Sequence, residues 1–190
     1  MSKVRVGIIG AGSIVRKHLD VISGIKWIKA VGITSRTRKK AEHVAQEYDI
    51  PVCSNDVESL IRKASPDALM VLVSVEQIHQ VVSNIIPYGL PLFLEKPPGI
   101  SPVETKTLAE LAQEHTVHTM VGYNRRYYSV FQKGRDIILD NGPLLGVSVE
   151  GHERFWKIKD CLSDTKRSKW LYANSTHTID LLRFFGGELS

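Results

Sequence analysis

Short apolar runs alternate with segments of helical periodicity from residue 4 to about residue 121. Runs that suit buried strands, separated by segments that suit crossover helices, are typical of a parallel β-sheet. The runs that we interpret as strands are residues 4–9, 28–33, 68–73, 92–94 and 117–123. The pattern predicts an α/β fold, a doubly wound parallel sheet of the Rossmann type.

The helical segments between these runs carry clear apolar stripes. In the segment that opens at Thr37, apolar side chains between residues 41 and 48 recur at i, i+3, i+4 and i+7. A second stripe over residues 78–86 stops at Gly89, a residue type that commonly ends helices. Both segments are therefore predicted to be amphipathic helices.

Two pairs of residues have the spacing of capping boxes, in which a short polar side chain caps a helix and a glutamate three residues later returns a hydrogen bond. The pairs are Asn55 with Glu58 and Ser101 with Glu104. Pro102 stands at the first helical position after Ser101, where its missing N–H has no cost. We therefore expect helices to begin after Asn55 and after Ser101.

The rhythm changes after residue 126. The elements predicted there are a helix over residues 127–139, a strand over residues 144–155 and a helix over residues 172–185. One strand and two helices bury too little surface for an independent core. The predicted division is a doubly wound domain of residues 1–123, for which the motifs below indicate dinucleotide binding, followed by an incomplete α+β domain of residues 124–190 for substrate binding or oligomerisation.

Composition narrows the class of protein. The chain has 43% hydrophobic and 24% charged residues and a net charge of +5, values of an ordinary globular protein. Cys53 and Cys161 are the only cysteines, which offers no metal-binding spacing and favours free thiols in a reducing compartment. We therefore expect a cytoplasmic protein with no metal site, and with no membrane segment because no apolar run is long enough to span a bilayer. We expect no nucleic-acid partner, because the basic residues lack interleaved aromatics.

A glycine turn follows the first predicted strand directly. Gly10 and Gly12 would let a pyrophosphate approach the backbone, and Ser13 and Ile14 open the next helix, whose free N–H groups attract phosphate. Strand, glycine turn and helix together predict a dinucleotide site. A tight turn without a ligand is the alternative.

The end of the second strand bears on which dinucleotide is bound. An acidic side chain at this point binds the ribose hydroxyls of NAD, but the chain has Ser35 and Arg36, whose hydroxyl and guanidinium suit an extra phosphate. NADP(H) is therefore favoured over NAD(H). The alternative is a solvated basic start to the following helix.

Glu95 and Lys96 lie just past the predicted strand of residues 92–94, where open α/β sheets bind ligands. A lysine there can hold a hydroxyl or carbonyl oxygen during hydride transfer, and the adjacent carboxylate can orient it. Ser74 and His79 follow the predicted strand of residues 68–73, and Asn124 follows the predicted strand of residues 117–123. All are candidate cofactor-binding residues, although a Glu-Lys pair alone is common on protein surfaces.

With these motifs, the chain resembles the Gfo/Idh/MocA family of NAD(P)-dependent oxidoreductases. The resemblance rests on residues 10–12, 74–79, 95–97 and 122–126 and on a late helix over residues 174–182. It implies that Lys96 faces the nicotinamide and the substrate, and that His177 is the active-site histidine. Histidine suits proton exchange near neutral pH, but His177 could instead be a packed partner of Asp180 or Asn174.

The chain departs from the family pattern in three ways. Ala173 occupies the position of a usual aspartate, and Ser74-Val75-Glu76 replaces a usual threonine-proline-asparagine. The family's second domain also contains an open sheet of several strands, of which we expect only the beginning. The resemblance therefore implies an enzyme truncated in its C-terminal domain.

Two functions of different classes follow. The first is an NADP(H)-dependent oxidoreductase acting on a hydroxyl or carbonyl carbon of a sugar, cyclitol or related polyol, with Lys96 polarising the reacting oxygen and His177 exchanging the proton. The second is a non-catalytic dinucleotide-binding fragment or redox-sensing partner subunit. In either case, unpaired strand edges and apolar residues after about residue 140 predict a homo-oligomer.

Overall fold

The computed structural model describes residues 3–153, 155–158, 160 and 162–188. The predicted free thiol Cys161 lies outside these residues. Contacts divide the chain into two compact units, Met1–Val121 and Gly122–Ser190. From the sequence, the boundary is expected after Tyr123.

The first unit is a six-stranded parallel sheet with the strand order β3-β2-β1-β4-β5-β6. Its strands are β1 (Val4–Ile9), β2 (Ile28–Thr34), β3 (Val52–Ser54), β4 (Ala68–Val71), β5 (Leu92–Leu94) and β6 (Thr119–Val121). Its helices are α1 (Ile14–Gly24), α2 (Arg38–Glu47), α3 (Val57–Ala64), α4 (Val75–Ile85) and α5 (Pro102–Glu114). The predicted doubly wound α/β fold is confirmed.

Apolar side chains fill both faces of this sheet. Adjacent residues of a strand point to opposite faces, so in β1 the buried Ile8 packs with α1 and α2, and the buried Ile9 packs with α3, α4 and α5. Burial on both sides explains why the strand sequences are continuously apolar. The helices packed on both faces keep the carboxyl ends of β1, β2 and β4 in place beside one another.

One of the two predicted helix caps is confirmed. The Ser101 hydroxyl accepts a hydrogen bond from the Glu104 amide at 3.2 Å at the start of α5. The prediction for Asn55 is wrong, because the cap of α3 is Asp56, whose carboxylate accepts from the Ser59 amide at 2.7 Å. Asn55 instead accepts a hydrogen bond from Arg38.

The second unit is mainly helical in its described part. It contains a 3₁₀ turn (Asn124–Tyr127), α6 (Ser129–Asp140), α7 (Phe155–Ile158), α8 (Asp164–Ser168), a π-helical turn (Leu171–Ser175) and α9 (Thr176–Gly186). The predicted strand over residues 144–155 is wrong: residues 143–153 have no regular structure, and Phe155 begins α7. A strand needs a hydrogen-bonded neighbour, and the described residues of this unit include none.

A paired arginine and aspartate link two parts of the second unit. Arg126 donates from Nε and Nη2 to the two carboxylate oxygens of Asp180, at 2.7 and 2.6 Å. Asp180 is buried, and this hydrogen bonding raises the pKa of Arg126 above its ordinary value. The pair fixes α9 against the segment that opens the unit.

Two kinds of feature are absent from the described residues, a membrane-spanning helix and a cluster of metal ligands. None of their helices combines the length and apolar character needed to cross a membrane. Within the same part of the chain, no group of three or more His, Cys, Asp and Glu side chains could hold a metal ion.

Candidate functional site

The strand order reverses between β1 and β4, and a cleft of about 520 Å³ opens at the carboxyl ends of the strands there. Open α/β sheets bind their ligands at this switch point. The apolar run of β4 continues past the strand, and Leu72 and Val73 line the cleft. Its other main lining residues are Gly10, Gly12, Ser35, Arg36, Asn55, Asp56, Ser74, Gln77 and Gln80.

Gly10 and Gly12 both line the floor of the cleft, but their surroundings differ. Gly10 has a φ of +112°, and a Cβ atom there would lie 2.3 Å from the Leu72 carbonyl oxygen. Only glycine therefore fits where β1 and β4 separate. A Cβ at Gly12 would meet no atom within 4 Å, so this side of the turn is open to a ligand. The turn fits a group that must approach the backbone closely.

The end of β2 forms the wall of the cleft. Thr34 is buried and donates to the Ser54 carbonyl oxygen at 2.9 Å, which ties β2 to β3. The next residues, Ser35 and Arg36, line the cleft as predicted. Arg38 is not a lining residue and donates to Glu42 and to the lining residue Asn55. The lining carboxylate of Asp56 follows β3 and accepts hydrogen bonds from the amide and hydroxyl of Ser59. The residues that follow β2 carry no carboxylate.

Glu95 and Lys96 lie beyond β5, outside the residues that line this cleft. The Glu95 carboxylate accepts a hydrogen bond from His18 Nε2 at 2.6 Å and from the Lys96 amide at 3.2 Å. The His18 ring meets Phe93 edge-on, with centroids 5.5 Å apart. Glu95 is therefore held by α1 and in turn fixes the backbone that carries Lys96.

The other predicted site residues are placed differently. Ser13 lines a second cavity on the α2 side of the glycine turn, and Ile14 packs against the core below α1. His79 lies on α4 outside the lining of the cleft, and its carbonyl oxygen accepts from the Ser83 hydroxyl. Asn124 belongs to the second unit. Their roles in cofactor binding stay predictions.

His177 is the second residue of α9 in the second unit and is half-buried. Its ring meets Tyr123 edge-on, with centroids 6.2 Å apart. Burial, followed by the nearby Asp180 charge, raises the pKa of Tyr123. Both carboxylate oxygens of Asp180, three residues after His177, accept hydrogen bonds from Arg126.

Sequence reasoning missed two sets of residues. His18 was not a candidate, although it falls on the helix that the glycine turn opens. Gln77 and Gln80 line the cleft from α4, where only their spacing from Ser74 could have indicated them. The contact of His18 with Glu95 cannot be read from local patterns, because the two residues are 77 positions apart.

Comparison with known proteins agrees with this geometry. The model of an oxidoreductase family with an NAD-binding Rossmann fold, GFO_IDH_MocA, matches residues 4–123. A 4-carboxy-2-hydroxymuconate-6-semialdehyde dehydrogenase of Sphingobium is 23% identical over 98% of this chain and 60% of its own length. Inositol 2-dehydrogenase of Rhizobium meliloti is 25% identical over 97% of this chain and 56% of its own length.

A solved structure shares the fold. A dehydrogenase from Chromobacterium violaceum superposes with a TM-score of 0.81 at 24% identity, over all of this chain and 56% of that one. The chain thus spans 56–60% of the length of these two relatives and of this structure.

Proposed function

Because the chain belongs to the GFO_IDH_MocA family of oxidoreductases, we propose that it is the dinucleotide-binding part of an NADP(H)-dependent oxidoreductase. The proposed substrate is a sugar, cyclitol or related polyol, oxidised or reduced at a hydroxyl or carbonyl carbon. One observation carries the proposal: the glycine turn at the switch point is closed to side chains at Gly10 and open to a ligand at Gly12.

The residues of the cleft suit a nicotinamide dinucleotide. Gly10 and Gly12 leave room for the pyrophosphate, and the first amides of α1 supply donors for its charge. Asn55 and Gln77 offer amides to the adenosine half. When bound, the nicotinamide would accept or donate the hydride, and the protein would supply orientation and proton exchange.

The proposed choice of NADP(H) over NAD(H) follows from charge. Arg36 and Lys40 line the cleft, and the end of β2 presents Ser35 where NAD-binding proteins carry an acidic residue. A cation paired with the ribose phosphate contributes about 1.5–3 kcal/mol, which is tenfold or more in affinity.

Lys96 and His177 are the proposed catalytic residues. Lys96 follows β5 at the edge of the sheet where ligands bind, on a backbone that Glu95 fixes. In the proposal, its ammonium polarises the reacting oxygen and His177 takes or returns the proton. The relative named inositol 2-dehydrogenase supports a polyol as substrate.

A dinucleotide-binding module without turnover, such as a redox-sensing partner subunit, is the second candidate. It is favoured by Ala173, which stands four residues before His177 where the family resemblance implies an aspartate, and whose side chain has no carboxylate. The two candidates differ in one respect: both bind the dinucleotide, and only the enzyme consumes it.

A homo-oligomer is also proposed, joined through residues after about 140. An unpaired strand edge cannot support this oligomer, because residues 143–153 form no strand. The proposal is supported instead by exposed apolar side chains. Leu145 is 98% exposed and Leu171 is 57% exposed. Apolar patches of this kind usually mark a contact with a partner.

The test is a titration of the full chain with NADPH and NADH, followed by absorbance assays with myo-inositol and D-glucose. We expect tighter binding of NADPH, a smaller preference in Arg36→Ala, and polyol-dependent turnover. Lys96→Ala should abolish turnover and retain binding. Binding without turnover would favour the module, and absence of binding would contradict both candidates.

A further inference from the structure

The turn that opens the second unit meets α9 at two points. Tyr123 caps the 3₁₀ turn (Asn124–Tyr127), and Arg126 stands three residues later within that turn. His177 and Asp180 stand three residues apart on α9. Residues with this spacing lie on one side of a 3₁₀ turn and on one side of an α-helix. The turn and α9 therefore each present two side chains to the other.

The two contacts between these elements differ in kind. The Arg126 guanidinium donates two hydrogen bonds to the Asp180 carboxylate, at 2.7 and 2.6 Å. The Tyr123 ring meets the His177 ring at an angle of 82°, with centroids 6.2 Å apart. This is one of the arrangements that aromatic pairs prefer. The ion pair thus fixes the backbone of α9, whereas the ring contact acts directly on the imidazole.

A histidine that exchanges a proton with a substrate needs a fixed ring plane. The χ2 torsion of histidine has broad minima, so the backbone alone does not set that plane. Proton transfer requires one ring nitrogen within about 2.6–3.2 Å of the atom that gives or takes the proton. A carboxylate often orients such a histidine. Ala173, four residues before His177, has no carboxylate to do so.

The Tyr123 hydroxyl is poorly suited to taking a proton itself. Burial, followed by the nearby Asp180 charge, raises the pKa of Tyr123, although Arg126 and Arg183 oppose the rise. The phenol is therefore neutral near pH 7 and offers His177 an uncharged ring at a set angle.

We infer that Tyr123 is a positioning residue for His177, and that its ring fixes the imidazole plane so that the same ring nitrogen is presented to the substrate. The inference rests on the proposed function, in which His177 exchanges the proton. It adds a residue to which that function assigns no role. It also separates the tasks of the turn: Arg126 holds the helix and Tyr123 holds the ring.

The first measurement is NMR of the histidine ring protons in the full chain. His177→Gln identifies the His177 signals among those of the seven histidines. Tyr123→Leu removes the aromatic ring, and Tyr123→Phe keeps the ring and removes the hydroxyl. Tyr127→Leu is the matched control, because Tyr127 belongs to the same turn and is 66% exposed. Thermal unfolding shows which variants are folded, and Tyr123→Met replaces Tyr123→Leu if the latter is not.

The second measurement is kcat and KM for the polyol that the native chain turns over, together with NADPH binding. We expect kcat of Tyr123→Leu to fall by about 10–100-fold, because a small misplacement of a reacting group is costly. KM and NADPH binding should change little. Tyr123→Phe and Tyr127→Leu should retain most of the native kcat.

The NMR spectra should follow the same division. The His177 signals of Tyr123→Leu should move toward those of a histidine without an aromatic neighbour, because the ring current of Tyr123 is lost. In Tyr123→Phe and Tyr127→Leu they should stay near their native positions. A residue with a purely structural role would lower the stability of Tyr123→Leu without this separation of kcat from KM and binding.

Three results would overturn the inference. Native His177 signals in Tyr123→Leu would mean that the Tyr123 ring does not act on the imidazole. Displaced signals with a native kcat would mean that His177 needs no fixed plane. A loss of kcat in Tyr123→Phe as large as in Tyr123→Leu would assign the role to the hydroxyl. A native chain without polyol turnover would instead contradict the proposed function, and the NMR comparison alone would then decide whether Tyr123 fixes the imidazole.

Discussion

His18 Nε2 donates a hydrogen bond of 2.6 Å to Glu95 Oε1 and thereby joins α1 to the end of β5. Both side chains are largely shielded, with exposed fractions of 22% and 18%. A carboxylate in such a position is costly without a donor. His18 therefore supports the segment that carries Lys96, although it lies far away in the sequence.

Loss of either partner should destabilise the first unit. We expect His18→Ala and Glu95→Ala to lower the free energy of unfolding by about 1–2 kcal/mol each, with a coupling of about 1 kcal/mol in the double variant. Urea denaturation measures all three. Lys17→Ala, at the exposed neighbouring position, is the control, and strictly additive effects would contradict the pairing.

The two glycines of the turn should respond differently to alanine. Gly10→Ala should lower the free energy of unfolding by more than about 2 kcal/mol, because its Cβ would collide with the Leu72 carbonyl oxygen. Gly12→Ala should leave stability nearly unchanged and weaken dinucleotide binding. Denaturation and fluorescence titration separate the two, and normal binding by Gly12→Ala would argue against a ligand at the turn.

Most of the fold could be predicted because burial on both sheet faces leaves continuous apolar runs. The strand Val4–Ile9 and the helix of residues 102–114 follow from such runs and from the Ser101 cap. The short strand Val52–Ser54 was missed, because three residues carry no measurable period. The sequence indicates Asn55 as the cap because Glu58 stands three residues later, as in a capping box. The adjacent Asp56 is an equally good capping residue and takes the position in the structure.

The site could be predicted only where function depends on local chain geometry. The glycine turn and the end of β2 are local, and Gly10, Gly12, Ser35 and Arg36 do line the cleft. The contact of His18 with Glu95 depends on the packing of α1 against the sheet. The strand expected over residues 144–155 depends on a partner strand, which periodicity cannot supply.

The Tyr48 hydroxyl should lose its proton only at unusually high pH. Its hydroxyl donates to Asp20 Oδ1 at 2.7 Å, and this hydrogen bond raises the pKa of Tyr48 from 10.0 to about 12. A raised pKa in the folded state means that the contribution to stability is complete below pH 10 and is lost as the pH rises through about 12. Ultraviolet titration of tyrosinate should show this late step disappear in Tyr48→Phe and move to lower pH in Asp20→Asn.

The pair of Arg126 and Asp180 should stabilise the second unit. Asp180 is only 6% exposed, so Arg126→Ala would leave a buried carboxylate without its donor. Because Arg126 itself is 36% exposed, we expect a loss of about 2 kcal/mol, less than for a fully buried pair. Hydrogen exchange of α9 amides measures this, and Lys133→Ala, at an exposed position of α6, is the control. Unchanged protection in Arg126→Ala would mean that the pair contributes nothing.

The full chain should self-associate through its second unit. Leu145 is 98% exposed, Trp156 is 67% exposed and Leu171 is 57% exposed, an apolar surface that a monomer would leave in water. Light scattering over a dilution series should therefore show a mass above 21.3 kDa that falls on dilution. Leu145→Glu/Leu171→Glu should shift the series toward the monomer, because a charge in an apolar contact loses its hydration. Val103→Glu, which changes a valine of α5 that is 73% exposed, should have no such effect. A native chain that stays monodisperse at 21.3 kDa at every concentration would rule out the oligomer.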